Sequence, residues 1–156
     1  MSNVEIIKYK PQYAADFERL NVAWLEKYFY VEPYDAEVLA NPEKHILNDG
    51  GEIYLAECEG EIIGTLALMY RGSELEVTKM SVDERFQGQG IGKRLMEFTL
   101  QRAQEMKPKK IFLLTSSSLE AANGLYEKSG FVSVPLHEGD NTTYARCDRR
   151  WELPVS

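Results

Sequence analysis

Cysteine and histidine are scarce in this chain, with two of each among 156 residues. Cys58 and Cys147 are too few for a disulfide framework and show no C-x-x-C spacing, so a structural zinc and a dithiol redox centre both lack support. They read as reduced packing residues. His45 and His137 have no partner at the spacing of a catalytic triad or a metal site, so no metal is expected and neither histidine is assigned a role. No apolar run approaches the roughly 18 residues of a membrane span, and the opening MSNVEIIKYKPQYAADF lacks a basic segment followed by an apolar one. The expectation is a cytoplasmic protein with no membrane partner. Positive charge is also in deficit: 18 Lys and Arg stand against 25 Asp and Glu, for a formal charge of -7. The basic residues are dispersed, which argues against a nucleic-acid partner.

Hydrophobic residues at 44% and charged residues at 28% fit an ordinary globular composition, and the length predicts one domain over residues 1–156. VEIIKY (4–9) reads as a strand stopped by Pro11. Tyr13, Phe17, Leu20, Trp24 and Tyr28 then recur at helical spacing. A second short helix is expected after Pro33, with Asp35 as its N-cap. EIYLAE (52–57), IIGTLALMY (62–70) and ELEVTKMSV (74–82) read as three antiparallel strands joined by Gly-containing turns. From Ile91 to Met106 the pattern is helical, with Ile91, Leu95, Phe98, Ala103 and Met106 on one side. KIFLLT (110–115) reads as a buried strand. Ser117 and Glu120 form an S-x-x-E capping box for a last helix closed by Gly130, and FVSV with TTYARCDRRWEL reads as a final hairpin. The order β-αα-βββ-α-β-α-ββ predicts a mixed α+β sheet with helices on both faces.

RFQGQGIGKRL (85–95) places three alternating glycines between a strand and a helix, with Arg85, Lys93 and Arg94 around them. Unpaired N–H groups and the positive dipole end converge at such a helix start, which makes it an anion site. A Walker loop requires G-x-x-x-x-G-K-[ST], but Gly88 to Gly92 is one residue short and Arg94 stands where the hydroxyl belongs. The dinucleotide fingerprint G-x-G-x-x-G fails at Lys93, where its third glycine would fall. The pattern that fits is Q-x-x-G-x-G, read as Gln87, Gly90 and Gly92.

That pattern resembles the pyrophosphate loop of the GNAT superfamily of acetyl-CoA-dependent N-acetyltransferases. ELEVTKMSV is similar to the family's fourth strand and LYEKSGF (125–131) to its closing motif, so the resemblance spans almost the whole chain. It implies the GNAT acyl-CoA N-acyltransferase fold, a central, mostly antiparallel twisted sheet of about seven strands flanked by about four helices. It further implies acetyl-CoA as donor, with the backbone of Gln87, Gly88, Gln89, Gly90, Ile91 and Gly92 on the pyrophosphate. Met80, Ser81 and Val82 would lie along the pantetheine and thioester. Lys93 and Arg94 sit in the first helical turn, either facing the polyanion or solvated.

Acetyl transfer to an amine needs a neutral amine, an oxyanion donor and a proton for the leaving thiolate. The resemblance makes Tyr126 the general acid and Glu76 the favoured base; strand alternation places Glu76 on one face with Glu74, Thr78 and Met80, so that either acid can accept the amine proton, directly or through water. The family asparagine is replaced by Leu119, leaving Asn123 or Ser116 as substitutes for CoA contact. Trp24, Tyr28, Phe29, Glu32, Tyr34, Asp35 and Tyr144 carry the aromatic faces and carboxylates that suit a protonated amine, although Trp24 and Tyr28 also belong to the helix stripe. The expected acceptor is a small-molecule amine or an amino-acid-like compound. A protein or peptide acceptor and a non-catalytic acyl-CoA sensor are the other readings, and the aromatic-rich C-terminal hairpin is compatible with a homodimer.

Overall fold

The computed structural model describes residues 3–155. β1 (Val4–Lys8) is followed by a 3-10 turn at Pro11–Tyr13 and then α1 (Ala14–Tyr28). α1 buries Phe17, Leu20, Asn21 and Leu25, a stripe displaced from the one that the sequence suggests. Trp24 is half-buried at its border and Tyr28 is exposed, which frees both for the site described below. α2 (Pro33–Ala40) starts three residues before the expected point, because the fixed φ of Pro33 suits the first helical position. Asp35 is therefore not the N-cap. It is the third helical residue and accepts the Glu32 N–H at 3.1 Å, with Glu32 as N-cap.

β2 (Glu52–Cys58), β3 (Glu61–Arg71) and β4 (Glu74–Val82) form an antiparallel meander. α3 (Ile91–Glu105) leads to β5 (Lys110–Thr115), and α4 (Glu120–Lys128) to β6 (Val132–Val134). A short α5 (Asp140–Thr143) precedes β7 (Arg149–Leu153). The seven strands lie in the order β1-β2-β3-β4-β5-β7-β6, and only the β4–β5 pair is parallel. The final hairpin departs from expectation in two ways. Thr142 and Thr143 belong to α5, and β7 inserts between β5 and β6.

Each face of the sheet carries its own core. Leu66, Leu68, Leu75 and Val77 pack with Leu95, Met96 and Tyr126 on the face covered by α3 and α4. Ile53, Leu55 and Met69 pack with Phe17, Leu20 and Val38 beneath α1 and α2. Each fully buried aliphatic side chain contributes about 1.5–3 kcal/mol. On α3 the i+4 series Ile91, Leu95, Thr99 and Ala103 centres the buried stripe, joined by Met96 and Leu100. Phe98 falls beyond its edge, exposed and edge-on to Tyr54 at 5.1 Å. The expected Ser117–Glu120 capping box is absent. Ser117 donates from N and Oγ to Asp148 at 2.8 and 2.9 Å, and α4 begins at an N-cap, Leu119, that offers no side-chain bond. The competition is won by a tether that fixes the start of β7 to the β5–α4 loop.

Arg102 on α3 forks onto Glu52 with two bonds of 2.8 Å and, with help from Tyr54, holds its pKa down to about 2. Because the folded value lies below the ordinary 4.5, this stability is present above that pH and is lost as pH falls from about 4.5 towards 2. Glu52→Gln is expected to flatten the acid limb of stability in that window, by about 1 kcal/mol for a partly exposed pair. Urea titrations at pH 6 and pH 3 check it, and parallel acid limbs would refute the assignment.

Candidate functional site

β4 and β5 pair only through Glu74–Lys110, Leu75–Ile111 and Glu76–Phe112, and then separate. On its other side β4 carries a bulge. Thr65 faces Ser81 and Ala67 faces Thr78, so Lys79 and Met80 together oppose Leu66. Lys79 has φ +56°, in the left-handed region, which bends the strand and inverts the alternation beyond it. Met80 therefore joins the α3–α4 core, whereas Lys79 reaches Asp35 on the opposite face at 2.9 Å. The sequence-based placement of Met80 on one face with Glu76 and Thr78 fails at this point.

The gap between the strands opens into two cavities that share Trp24, Met80, Leu119 and Ala122 as lining. The outer is a groove of about 520 Å³ and the inner a chamber of about 120 Å³. Met80, Ser81, Val82, Gln87, Gly88, Gly90, Ile91 and Gly92 all line the groove, and the start of α4 forms its opposite wall. Gly88 and Gly90 adopt φ +81° and +79°, a region that favours glycine. Gly92 is different. Its φ is not left-handed, and an added β-carbon would meet only Val82 Cγ2, at 3.9 Å. Alanine there would stabilise the helix by roughly 1 kcal/mol, so the protein's own packing gives no reason for glycine. Space for something outside the chain is a sufficient reason. Neither α3 nor α4 has a side-chain cap, and α3 has no acid in its first turn, so two helix starts present unpaired donors to one groove.

The basic residues near the glycines do not supply the positive field. Arg85 is held by Asp83 and Glu61, and Arg94 donates to the Val4 carbonyl at 2.8 Å. Lys93 lies 3.9 Å from Glu97 with both exposed, and it does not line the groove; nor does Gln89. Asn123 is also removed from the cofactor-binding set. Its amide donates to Ser116 O at 3.0 Å and Leu119 O at 2.8 Å, and its Oδ1 accepts Trp151 Nε1–H at 2.8 Å. Buried and fully engaged, it locks the β5–α4 loop. Ser116 does line the inner chamber, with its Oγ 2.8 Å from Ser118 Oγ.

Tyr126 lines the chamber, 9% exposed, at the back of α4. Burial pushes its phenol up to about 12, against a lowering from its hydrogen bond with Thr115. Glu76 does not line either cavity. It is 1% exposed and accepts Arg71 Nε–H at 2.9 Å, and Arg71 also donates to Tyr34 Oη at 2.5 Å. Glu32 and Asp35 likewise lie outside the lining, paired with Arg146 and Lys79 rather than open to a cationic amine. Burial by itself would raise the Asp35 pKa, but the bonds from Arg146 and Lys79 outweigh it and keep the carboxylate ionised. Trp24, Phe29 and Tyr144 are in the chamber wall, as the sequence suggests.

Three lining residues escape sequence reasoning: Lys79, Arg146 and Cys147. Lys79 is hidden by the bulge, and Arg146 and Cys147 lie in a segment read as strand. Burial pushes the Cys147 thiol up to about 12, so it stays protonated beside the chamber.

A family model described as an acetyltransferase (GNAT) domain matches residues 49–133, more than half of the chain. The uncharacterized N-acetyltransferase YvbK of Bacillus subtilis (strain 168) is 32% identical over 104 residues, which cover 64% of this chain and 67% of that protein. N-acetyltransferase family 8 member 2 of Rattus norvegicus is 28% identical over 116 residues, covering 70% of this chain but 51% of that protein. The chain thus spans half to two thirds of the length of these relatives. An acetyltransferase of the GNAT family from Staphylococcus aureus MU50 superposes with a TM-score of 0.84 at 23% identity, covering 98% of this chain and 99% of that one. The paia N-acetyltransferase of Thermoplasma acidophilum, solved in complex with coenzyme A, gives 0.74 at 15% identity, with 98% and 99% covered. A seven-stranded sheet that splits between β4 and β5, a glycine loop on the groove this opens, and the domain match over residues 49–133 agree, and the chain belongs to the GNAT acetyltransferase family.

Proposed function

We propose that this protein is an acetyl-CoA-dependent N-acetyltransferase that moves an acetyl group to the primary amine of a small, amino-acid-like acceptor by direct attack in a ternary complex. The observation that carries the reading is the adjacency of two cavities at the split in the sheet: the groove at the Gly88–Gly92 loop and the chamber at Tyr126 share Trp24, Met80, Leu119 and Ala122 as lining. The residues fit the donor. Uncapped amides of the first turn of α3 suit a pyrophosphate, and the edge of β4 from Met80 to Val82, which does not pair with β5, suits an amide-bearing pantetheine arm. The fold neighbour from Thermoplasma acidophilum, solved with coenzyme A, supports the same choice of donor. Acetyl-CoA supplies the activated thioester.

The chain's own groups then divide the work. Tyr126, with its pKa at about 12, holds its proton at every working pH and can give it to a leaving sulfur. Cys147 remains a thiol, which leaves direct attack as the route in place of a covalent relay. Among the described residues that line the chamber there is no carboxylate and no imidazole. With no base in the lining, the acceptor reacts as the neutral amine and its proton leaves through water. In this reading Glu76 positions Arg71 and takes no part in proton transfer.

Calorimetric titration with acetyl-CoA, followed by thiol-release assays with primary amines, tests the proposal. Micromolar binding and amine-dependent thiol release are expected, and absence of binding would overturn it. A general base contributes roughly 10²–10⁴-fold, so Glu76→Gln separates the two roles for that residue. Turnover within about tenfold of wild type is expected, and a loss above about 100-fold would return Glu76 to the base.

A further inference from the structure

The charge that the chamber offers to an acceptor is opposite to the one its neighbouring sequence suggests. Glu32 and Asp35 have all four carboxylate oxygens engaged. Glu32 accepts Ala145 N–H at 2.9 Å and Arg146 Nη1–H at 2.8 Å. Asp35 accepts Lys79 Nζ–H at 2.9 Å, Arg146 at 2.7 and 3.1 Å, and the Glu32 N–H. The cations keep donors in hand. Lys79 makes one of these bonds with three N–H groups, and Arg146 makes three with five. Among the described residues they are the only basic side chains lining the inner chamber, and burial lowers the pKa of Lys79 against the opposing pull of Asp35.

Lys79 is also an improbable residue for its backbone. A φ of +56° costs a non-glycine residue about 1 kcal/mol or more, and glycine would adopt it freely. A buried Lys–Asp pair is no substitute explanation, because such pairs are often no more stabilising than apolar side chains of the same volume. Strain held at the point where a strand bends beside a cavity points to a side chain kept for what it touches.

We propose that the acceptor carries a carboxylate beside its reacting amine and that Lys79 and Arg146 receive that carboxylate. The inference rests on the acetyl-transfer reading and narrows its substrate class to amino acids and their close analogues. One carboxylate balances the two sets of unfilled donors with charge-assisted hydrogen bonds, and Arg146 can meet it with its Nε and Nη2 edge. Tyr144 is held between the same cations, 4.9 Å from Lys79 Nζ and 4.8 Å from the Arg146 guanidinium carbon, which fixes their spacing. A polyamine would instead offer no acceptor for the unfilled donors of Lys79 and Arg146.

The test uses matched compounds that differ by the carboxylate: L-leucine and 3-methylbutylamine, L-phenylalanine and phenethylamine, L-lysine and cadaverine, with spermidine as the polyamine. Each is titrated by calorimetry into wild-type protein saturated with CoA, and the samples are first titrated with acetyl-CoA. At least one acid is expected to bind about tenfold or more tightly than its amine, with spermidine the weakest ligand. Amines binding as well as acids, or no acid binding, overturns the inference even where acetyl-CoA binds. Failure of acetyl-CoA to bind sinks the donor reading, and the paired titrations on free protein then decide the chamber alone. In Arg146→Gln the preference is expected to fall to within about threefold, and Arg146→Lys, which keeps the charge but loses the forked edge, is expected to keep only part of it. Because the glutamine variant leaves Glu32 and Asp35 short of a partner, the wild-type pairs remain decisive if it does not fold.

Discussion

Gly92→Glu is expected to stabilise the free protein by about 1 kcal/mol and to weaken acetyl-CoA binding on the order of 100-fold or more. The two effects have opposite signs because they act through different partners. In the free protein, replacing glycine in a helix gains roughly 0.5–1 kcal/mol, and an acid in the first turn adds a few tenths or more from the helix dipole. Nothing crowds the β-carbon, since the nearest atom to it is Val82 Cγ2 at 3.9 Å. In the complex the same carboxylate stands against a pyrophosphate, and like charges brought together at an interface cost several kcal/mol. Gly90 is a poorer choice for this test. Its φ of +79° strains any replacement, so lost binding there would be confounded with a damaged loop. Thermal melts of the free variant and calorimetry with acetyl-CoA read the two terms separately. A stabilised variant with unchanged affinity would remove the glycine loop from the donor site.

The elements that position the donor groove were legible because local signals and packing agree. β4 and β5 run over the spans their apolar content suggests, and α3 starts at Ile91 as its periodicity suggests, with Gly92 in its first turn. The acceptor side was misread for a reason of geometry. Strand alternation assigns faces by parity, and one bulge at Lys79 and Met80 reverses parity for the rest of β4. Nothing in the residue types announces that bulge, since lysine is an unfavourable choice for a left-handed φ. The carboxylates were misread because their partner is remote: Arg146 lies 111 residues after Asp35 and reaches it only once β7 has inserted beside β5. Asn123 failed in the same way, as a polar residue whose bonds are consumed by Trp151 and two carbonyls. Sequence shows which charges exist, but tertiary pairing decides which of them face a ligand.

Tyr126→Phe is expected to lower turnover on the order of 100-fold or more while acetyl-CoA affinity stays within about threefold. The ring belongs to the α3–α4 core, packed edge-on against Phe131 and Trp151 at 6.2 and 6.4 Å, and phenylalanine preserves that packing. The stability cost is confined to the hydrogen bond with Thr115, about 1 kcal/mol. What is removed is a phenol that lines the chamber, and with it the proton proposed for the leaving sulfur. Its pH signature follows from the raised pKa. A group with a value of about 12 is fully in its acid form at any lower working pH, so the wild-type kcat/KM profile should show no falling limb from Tyr126 below about pH 11. The rising limb should follow the acceptor's own amine, shifting when the acceptor is changed for one of different basicity. A fixed rising limb near a carboxylate pKa would instead reveal a base on the protein. A fully active phenylalanine variant would assign the proton to water reaching the sulfur along the outer groove, and would leave Tyr126 as a packing residue of the core.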